Sequence, residues 1–298
     1  SGVSYTKVDS EYFEKRRLKR YAGVWSLWAL GVGAVISGHF SGWNLGLANG
    51  WGSMFVATIV ISVMYLGLTY SLAEMSPALP HTGGAYSFAR TAMGPWGGFL
   101  TGLSENVEYV LTPAVIVFFI GSYMGSIVGT PAEYQPLWWI GFYVVFVLLN
   151  VIGVELSFKV TVLVTLAALG CLVVFWISAI PHIDFNRWAM NVGPDGAELA
   201  EGGGEFLPKG FAGVLAAMPF AVWLFLAIEQ LPLAAEESVD PKRDMPKGII
   251  LGMLTLIVAG LLVVWWLLAA ASGPDYFAFV DGIVRSWFGK LVFLLSIW

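Results

Sequence analysis

Seven apolar stretches of about twenty residues or more take up most of the chain, at residues 21–47, 51–75, 95–127, 137–154, 158–180, 211–235 and 248–271. A bilayer has a hydrocarbon core of ~30 Å and needs about 20 apolar residues in each helix that crosses it. An eighth apolar run begins near Phe288 and reaches Trp298, and it reads as part of a further span in a longer protein. Between the runs there is too little charge to cover a water-facing surface. Hydrophobic residues make up 58% of the 298, charged residues 12%, and the mean hydropathy is +0.77. A soluble domain carries about 45–50% apolar and about 25% charged residues. Cys171 is the single cysteine, so no disulfide scaffold is possible, and the net charge of −5 argues against a nucleic-acid partner. The expected fold class is an all-α integral membrane protein whose solvent on most faces is the lipid bilayer.

Lysine and arginine fix the expected orientation. With the amino terminus cytoplasmic, one side holds Lys7, Lys15, Arg16, Arg17, Lys19, Arg20, Arg90, Lys159, Lys242, Arg243 and Lys247. The other holds Arg187, Lys209, Arg285 and Lys290 together with Asp184, Asp195, Glu198, Glu201 and Glu205. This predicts a multi-pass protein of the cell (inner) membrane: a cytoplasmic segment at 1–20, five spans over 21–180, an outer loop at 181–210 and further spans over 211–298. The outer loop, and a second polar stretch at 272–287, read as linkers, the second also as a lid.

Two spans carry helix-breaking residues. Span one contains Gly31, Gly33, Ser37, Gly38, Ser41 and Gly42, with His39 among them. Such residues either let helices pack closely or mark an unwound stretch at residues 36–39 whose backbone faces a ligand. Span six carries Pro219 and Pro232, and in an α-helix Pro232 frees the carbonyl of Ile228, beside Glu229. Interrupted segments in corresponding positions point to a transporter site.

Charge inside the apolar runs is the other signal. Glu105 and Glu108 share one face of span three, with Tyr109, Thr112 and Pro113 on the next turn. A carboxylate within a bilayer costs several kcal/mol unless it is paired or hydrated, and so usually faces a water-filled path. Glu105 also fits a place near the membrane interface. The acids imply a cationic ligand, a proton site, or both. Trp223 lies on span six before Glu229. His39, His81 and His182 have no metal-ligand spacing, no nucleophile elbow or phosphate-binding lysine appears, and neither enzyme chemistry nor a cofactor is expected.

The segments GVGAVISGHFSGWN from Gly31, AEMSPALPHTGGAYSFAR from Ala73, GPWGGFLTGLSENVEYVLTPAVIV in span three and EQLPLAAEESVDPKRDMPKGI from Glu229 resemble the amino acid–polyamine–organocation transporter superfamily. Within it, VISGHFSGWN, LPHTGGAYSFAR and LTGLSENVEYVLTPAVIV resemble the ethanolamine permeases. The resemblance implies a twelve-helix fold of two inverted five-helix repeats plus two helices. Residues 21–180 would be the first repeat and 211–298 the start of the second. It implies substrate binding between unwound first and sixth helices, with Ile36, Ser37 and Gly38 contacting substrate and Trp223 as a gating aromatic. Leu226 and Ala227 fall at the sixth-helix break, Glu229 at an acid of gating and protonation, and Tyr109, Pro113 and Ile116 at substrate-facing positions. Ile36, Asp240 and Ala168 depart from common family residues: glycine, asparagine and a fifth-helix lysine. The expected activity is secondary transport of ethanolamine or a close small amine, with an amino acid or polyamine as the alternative and a membrane enzyme as the remote one. The coupling ion, proton or sodium, stays open.

Overall fold

A computed structural model of the chain describes residues 20–79, 83–152 and 154–270. Lys7, Lys15, Arg16, Arg17, Lys19, His81, the 272–287 stretch and the run beginning near Phe288 lie outside them. Among the described residues all regular structure is helical: α1 (Val24–Val35), α2 (Trp51–Ala78), α3 (Gly84–Val128), α4 (Gln135–Ile152), α5 (Val154–Ala179), α6 (Gly210–Val222) and α7 (Pro241–Ala270), with a five-residue helix at Phe185–Ala189 and short 3-10 segments. Among the described residues five helices are long and apolar enough to cross a membrane. The first span is a sixth, broken one, in which Val24–His39 and Trp43–Asn49 meet at a bend of 42°.

Helix α3 is two helices joined at Gly94, where φ is 74° and ψ −166°. Pro95 disfavours helical backbone in the residue before it, and the conformation taken there is open only to glycine. A short arm, Gly84 onward, is thereby set off from the span that begins at Pro95.

Helices α1, α2, α6 and α7 pack into one core that includes Val32, Ile36, Met54, Ala217, Phe225, Met253 and Leu256. Two of the span-one glycines serve this packing. A Cβ on Gly31 would stand 3.1 Å from both Ile228 Cδ1 and Leu231 Cδ2, and one on Gly33 would overlap Thr165 Oγ1. Thr165 of α5 lies 3.0 Å from the Ala29 carbonyl of α1, to which its hydroxyl donates. Close approach of this kind replaces the hydrophobic drive that helices lack inside lipid. Helices α3 and α4 stand further out: no residue of α4 is buried, and Leu103, Val107, Val110 and Leu111 of α3 are exposed. Apolar surface on that scale needs lipid or protein against it.

The two ends of the bundle are tied differently. At one end the Tyr21 and Ala22 amides both donate to the Glu237 carbonyl, and the Val239 amide donates to Ala22. The Tyr21 hydroxyl also donates to Glu237 Oε2 at 3.1 Å. These bonds join the start of the first span to the end of the sixth. A half-buried bond of this kind contributes about 1 kcal/mol net, so Tyr21→Phe is expected to bring forward the thermal melt of the detergent-solubilised protein by a few degrees, with its fold otherwise kept.

At the opposite end, the 181–210 loop is folded onto the helices and is more than a linker. Trp51 stacks on Phe55 at 4.9 Å and meets Phe185 and Phe206 of the loop edge-on at 5.4 and 5.7 Å. Lys209 Nζ donates to the Ala48 carbonyl at 2.8 Å, where the first span ends. A cation there also suits the negative end of the helical segment.

Candidate functional site

The two broken spans meet at their breaks. After α1, residues Ile36–His39 tighten into a 3-10 turn, the chain bends through Phe40 to Gly42, and Trp43–Asn49 continue as a second 3-10 segment. Gly42 has φ 92°. In the sixth span, α6 stops at Val222, a turn follows, and Ile228–Glu237 form a 3-10 helix. Ala227 at the hinge has φ 85° and is the one non-glycine residue with positive φ among those described. That left-handed backbone costs about 1–2 kcal/mol in a residue with a Cβ. A specific bond holds it: the Ala227 amide donates to Glu229 Oε1 at 2.9 Å.

Contact between the breaks depends on glycine. A Cβ at Gly38 would overlap the backbone carbonyl of Trp223, and one at Gly42 would stand 2.5 Å from Trp223 Nε1. The Trp223 ring therefore lies directly on the bend of the first span, and its buried Nε1 has no hydrogen-bond partner.

Two carbonyls at the first bend are already engaged. Trp43 Nε1 donates to His39 at 3.1 Å, and the Tyr123 hydroxyl of α3 donates to Phe40 at 2.7 Å. Within the 36–39 stretch the His39 carbonyl is therefore not bare. The expectation at Ile228 also shifts, because a 3-10 helix bonds three residues apart rather than four. Pro232 therefore removes the usual donor of Glu229, not of Ile228.

Beside these breaks lies a cluster of acids. The Glu108 and Glu229 carboxyl groups neighbour one another. Tyr65 of α2 and Tyr109 of α3 lie close to both, and Glu105 lies close to Glu108. Gln230 Nε2 donates to Glu108 Oε1 at 3.2 Å. Glu229 Oε2 is buried and receives no donor among the described residues, while the Glu229 carboxyl lies within hydrogen-bonding reach of the Glu108 carboxyl. Among the described residues no lysine or arginine bears on Glu229. Two like charges about 4 Å apart repel by about 4 kcal/mol at an effective dielectric of 20. The arrangement is thus suited to a positive charge, an ammonium or a proton.

The structure brings together Glu108, Tyr109, Ala227 and Glu229, and separately seats Trp223 on Gly38. Ser37 is buried, while Leu226 in the sixth-span turn and Thr112 one turn beyond Glu108 are half-buried. Three expected residues turn elsewhere. His39 Nε2 meets the Leu256 carbonyl of α7 at 3.3 Å, the Ile36 side chain is fully buried in the core, and Ile116 packs against the Ile120 and Met124 cluster. Ala168 is likewise core, and Thr165, one turn earlier, reaches the first span, as does Thr161. Sequence reasoning passed over Tyr65, Tyr123 and Gln230. Gln230 carried a usable signal, as a polar residue next to Glu229 in an apolar span; the tyrosines did not stand out among the aromatics.

A family model described as amino acid permease matches residues 28–291. The chain belongs to the amino acid permease family. Members of that family are transporters, and the broken spans belong to a multi-pass membrane protein of that family. The chain is 29% identical over 277 residues to an uncharacterized transporter of Rhizobium meliloti (strain 1021), covering 88% of this chain and 55% of that one. It is 24% identical over 265 residues to a branched-chain amino acid permease of Bacillus subtilis (strain 168), covering 82% and 53% respectively. It is 26% identical over 271 residues to a chloroplastic cationic amino acid transporter 7 of Arabidopsis thaliana, covering 81% and 44%. The chain thus spans about half the length of these permease relatives.

Proposed function

We propose that this permease is a secondary transporter of a small organic cation, ethanolamine or a close amine, which it imports across the cell (inner) membrane by alternating access with its amino terminus cytoplasmic. The observation that carries this reading is the buried pair of carboxyl groups, Glu229 against Glu108, at the hinge of a broken span, with no donor to Glu229 Oε2 among the described residues. Ethanolamine offers an ammonium and a hydroxyl but no carboxylate, so its site needs acceptors more than donors. A charge-assisted bond to either acid contributes about 1.5–3 kcal/mol. The remaining proposed contacts are Ser37, Gly38, Tyr109, Thr112, Leu226 and Ala227, with Trp223 closing over the bound cation.

An amino acid is the second reading, favoured by the names of the Bacillus and Arabidopsis relatives; its α-ammonium would take the same acids. Uptake of labelled ethanolamine into proteoliposomes, with unlabelled competitors and with proton and sodium gradients imposed separately, distinguishes the two. The expected result is saturable uptake blocked by small amines. Block by leucine or arginine, with ethanolamine itself neither transported nor inhibitory, would replace ethanolamine by an amino acid.

A further inference from the structure

The Glu108 carboxylate already accepts a hydrogen bond from within the chain. Gln230 stands on the first turn of the sixth span's 3-10 half, three residues after the left-handed Ala227, and its amide reaches across to α3. A carboxylate only accepts, so the amide nitrogen must be the donor. At 3.2 Å the bond is at the long limit for an N–H donor. An ammonium makes shorter bonds to a carboxylate, roughly twice as strong as those of a neutral donor. The same side chain therefore does two things: it donates to Glu108, and it adds a polar tie between α3 and the 3-10 half of the sixth span, which also pack through Phe88 and Leu231.

We propose that Gln230 is the resident occupant of Glu108, that a substrate ammonium takes its place, and that this exchange releases the polar tie between α3 and the 3-10 half of the sixth span, leaving only their apolar contact through Phe88, Leu231 and Leu233. The inference rests on the reading of Glu108 as a cation site. It assigns Gln230 two effects. It lowers the affinity of every ligand that uses Glu108, because each must first displace the amide. It also makes this polar tie to the sixth span depend on whether a cation is bound, which is what a carrier needs to move in response to cargo. Glu229, two residues past the hinge, stays bonded to the Ala227 amide through Oε1 during the exchange and keeps Oε2 for the ligand.

The test is equilibrium binding of ethanolamine to purified wild type, Gln230→Met, Glu108→Gln and the double variant. Methionine keeps the length of the side chain and removes the donor, and Gln230→Asn, too short to reach, serves as the second variant if Gln230→Met melts early. Expected are affinities about three- to tenfold tighter in Gln230→Met, the worth of one released neutral donor, and no such gain in the Glu108→Gln background. Hydrogen exchange over residues 228–237 is expected to quicken when ethanolamine is added to wild type and to be already fast, and insensitive to ligand, in Gln230→Met. Weaker binding in Glu108→Gln with unchanged or weaker binding in both Gln230 variants would overturn this inference and leave the cation site standing. Wild-type binding in Glu108→Gln would instead remove the cation site, and the inference with it.

Discussion

Replacing Gly38 with valine is expected to reduce initial uptake at least tenfold while the protein still reaches the membrane. The obstacle is backbone, not a side-chain end. A Cβ at this position overlaps the Trp223 carbonyl, which cannot rotate aside, so the two broken spans must separate to admit it. Overpacking of a tight contact costs about 1–3 kcal/mol, and separation also lifts the Trp223 ring from Gly42. Gly31→Ala is the matched control. Its added Cβ would meet only the flexible ends of Ile228 and Leu231 at 3.1 Å, so most activity should survive. Uptake normalised to protein in the membrane measures both; equal rates in Gly38→Val and wild type would mean that contact between the breaks is dispensable.

The second large effect concerns Glu229, whose two oxygens have separate tasks. Oε1 holds the hinge through the Ala227 amide at 2.9 Å, and Oε2 is buried and receives no donor among the described residues. Glu229→Gln keeps an acceptor for the amide but removes the charge. Cation affinity should fall roughly ten- to a hundredfold, the range given by a charged hydrogen bond of about 1.5–3 kcal/mol, with thermal stability near wild type. Glu229→Leu removes both functions. It also strips the hinge amide of its acceptor, at a further cost of about 1–3 kcal/mol, so it should bind cations poorly and melt earlier. Binding isotherms and thermal melts of the two variants separate the tasks; identical behaviour of Gln and Leu would contradict the division.

Much of this architecture was legible because lipid leaves so few options. Apolar length alone placed the helices: the run at 137–154 appears as Gln135–Ile152, and 158–180 as Val154–Ala179. Glycine density in span one was ambiguous between packing and breaking, and both readings hold at different residues. Gly31 and Gly33 sit in helix–helix contacts, while Gly38 and Gly42 lie at the bend. Which carbonyls the breaks expose was not legible. That depends on whether the backbone winds as α or 3-10 helix, and on donors from distant segments: Tyr123 stands 83 residues from the Phe40 carbonyl it bonds. Rotation about the helix axis was equally hidden. His39 and Ile36 lie in the right segment, but their side chains turn into α7 and the core. The acids were found because buried charge is rare enough to be conspicuous, whereas Gln230 and Tyr65 gained significance only through what they touch.

Ethylene glycol differs from ethanolamine in a single group, a hydroxyl where the amine carries its ammonium. Equilibrium binding of the two to the purified wild-type protein therefore reads out the cation preference of the acid pair directly. The account predicts that ethanolamine binds at least about tenfold more tightly, from a charge-assisted bond of about 1.5–3 kcal/mol. Equal affinities for the two would contradict it.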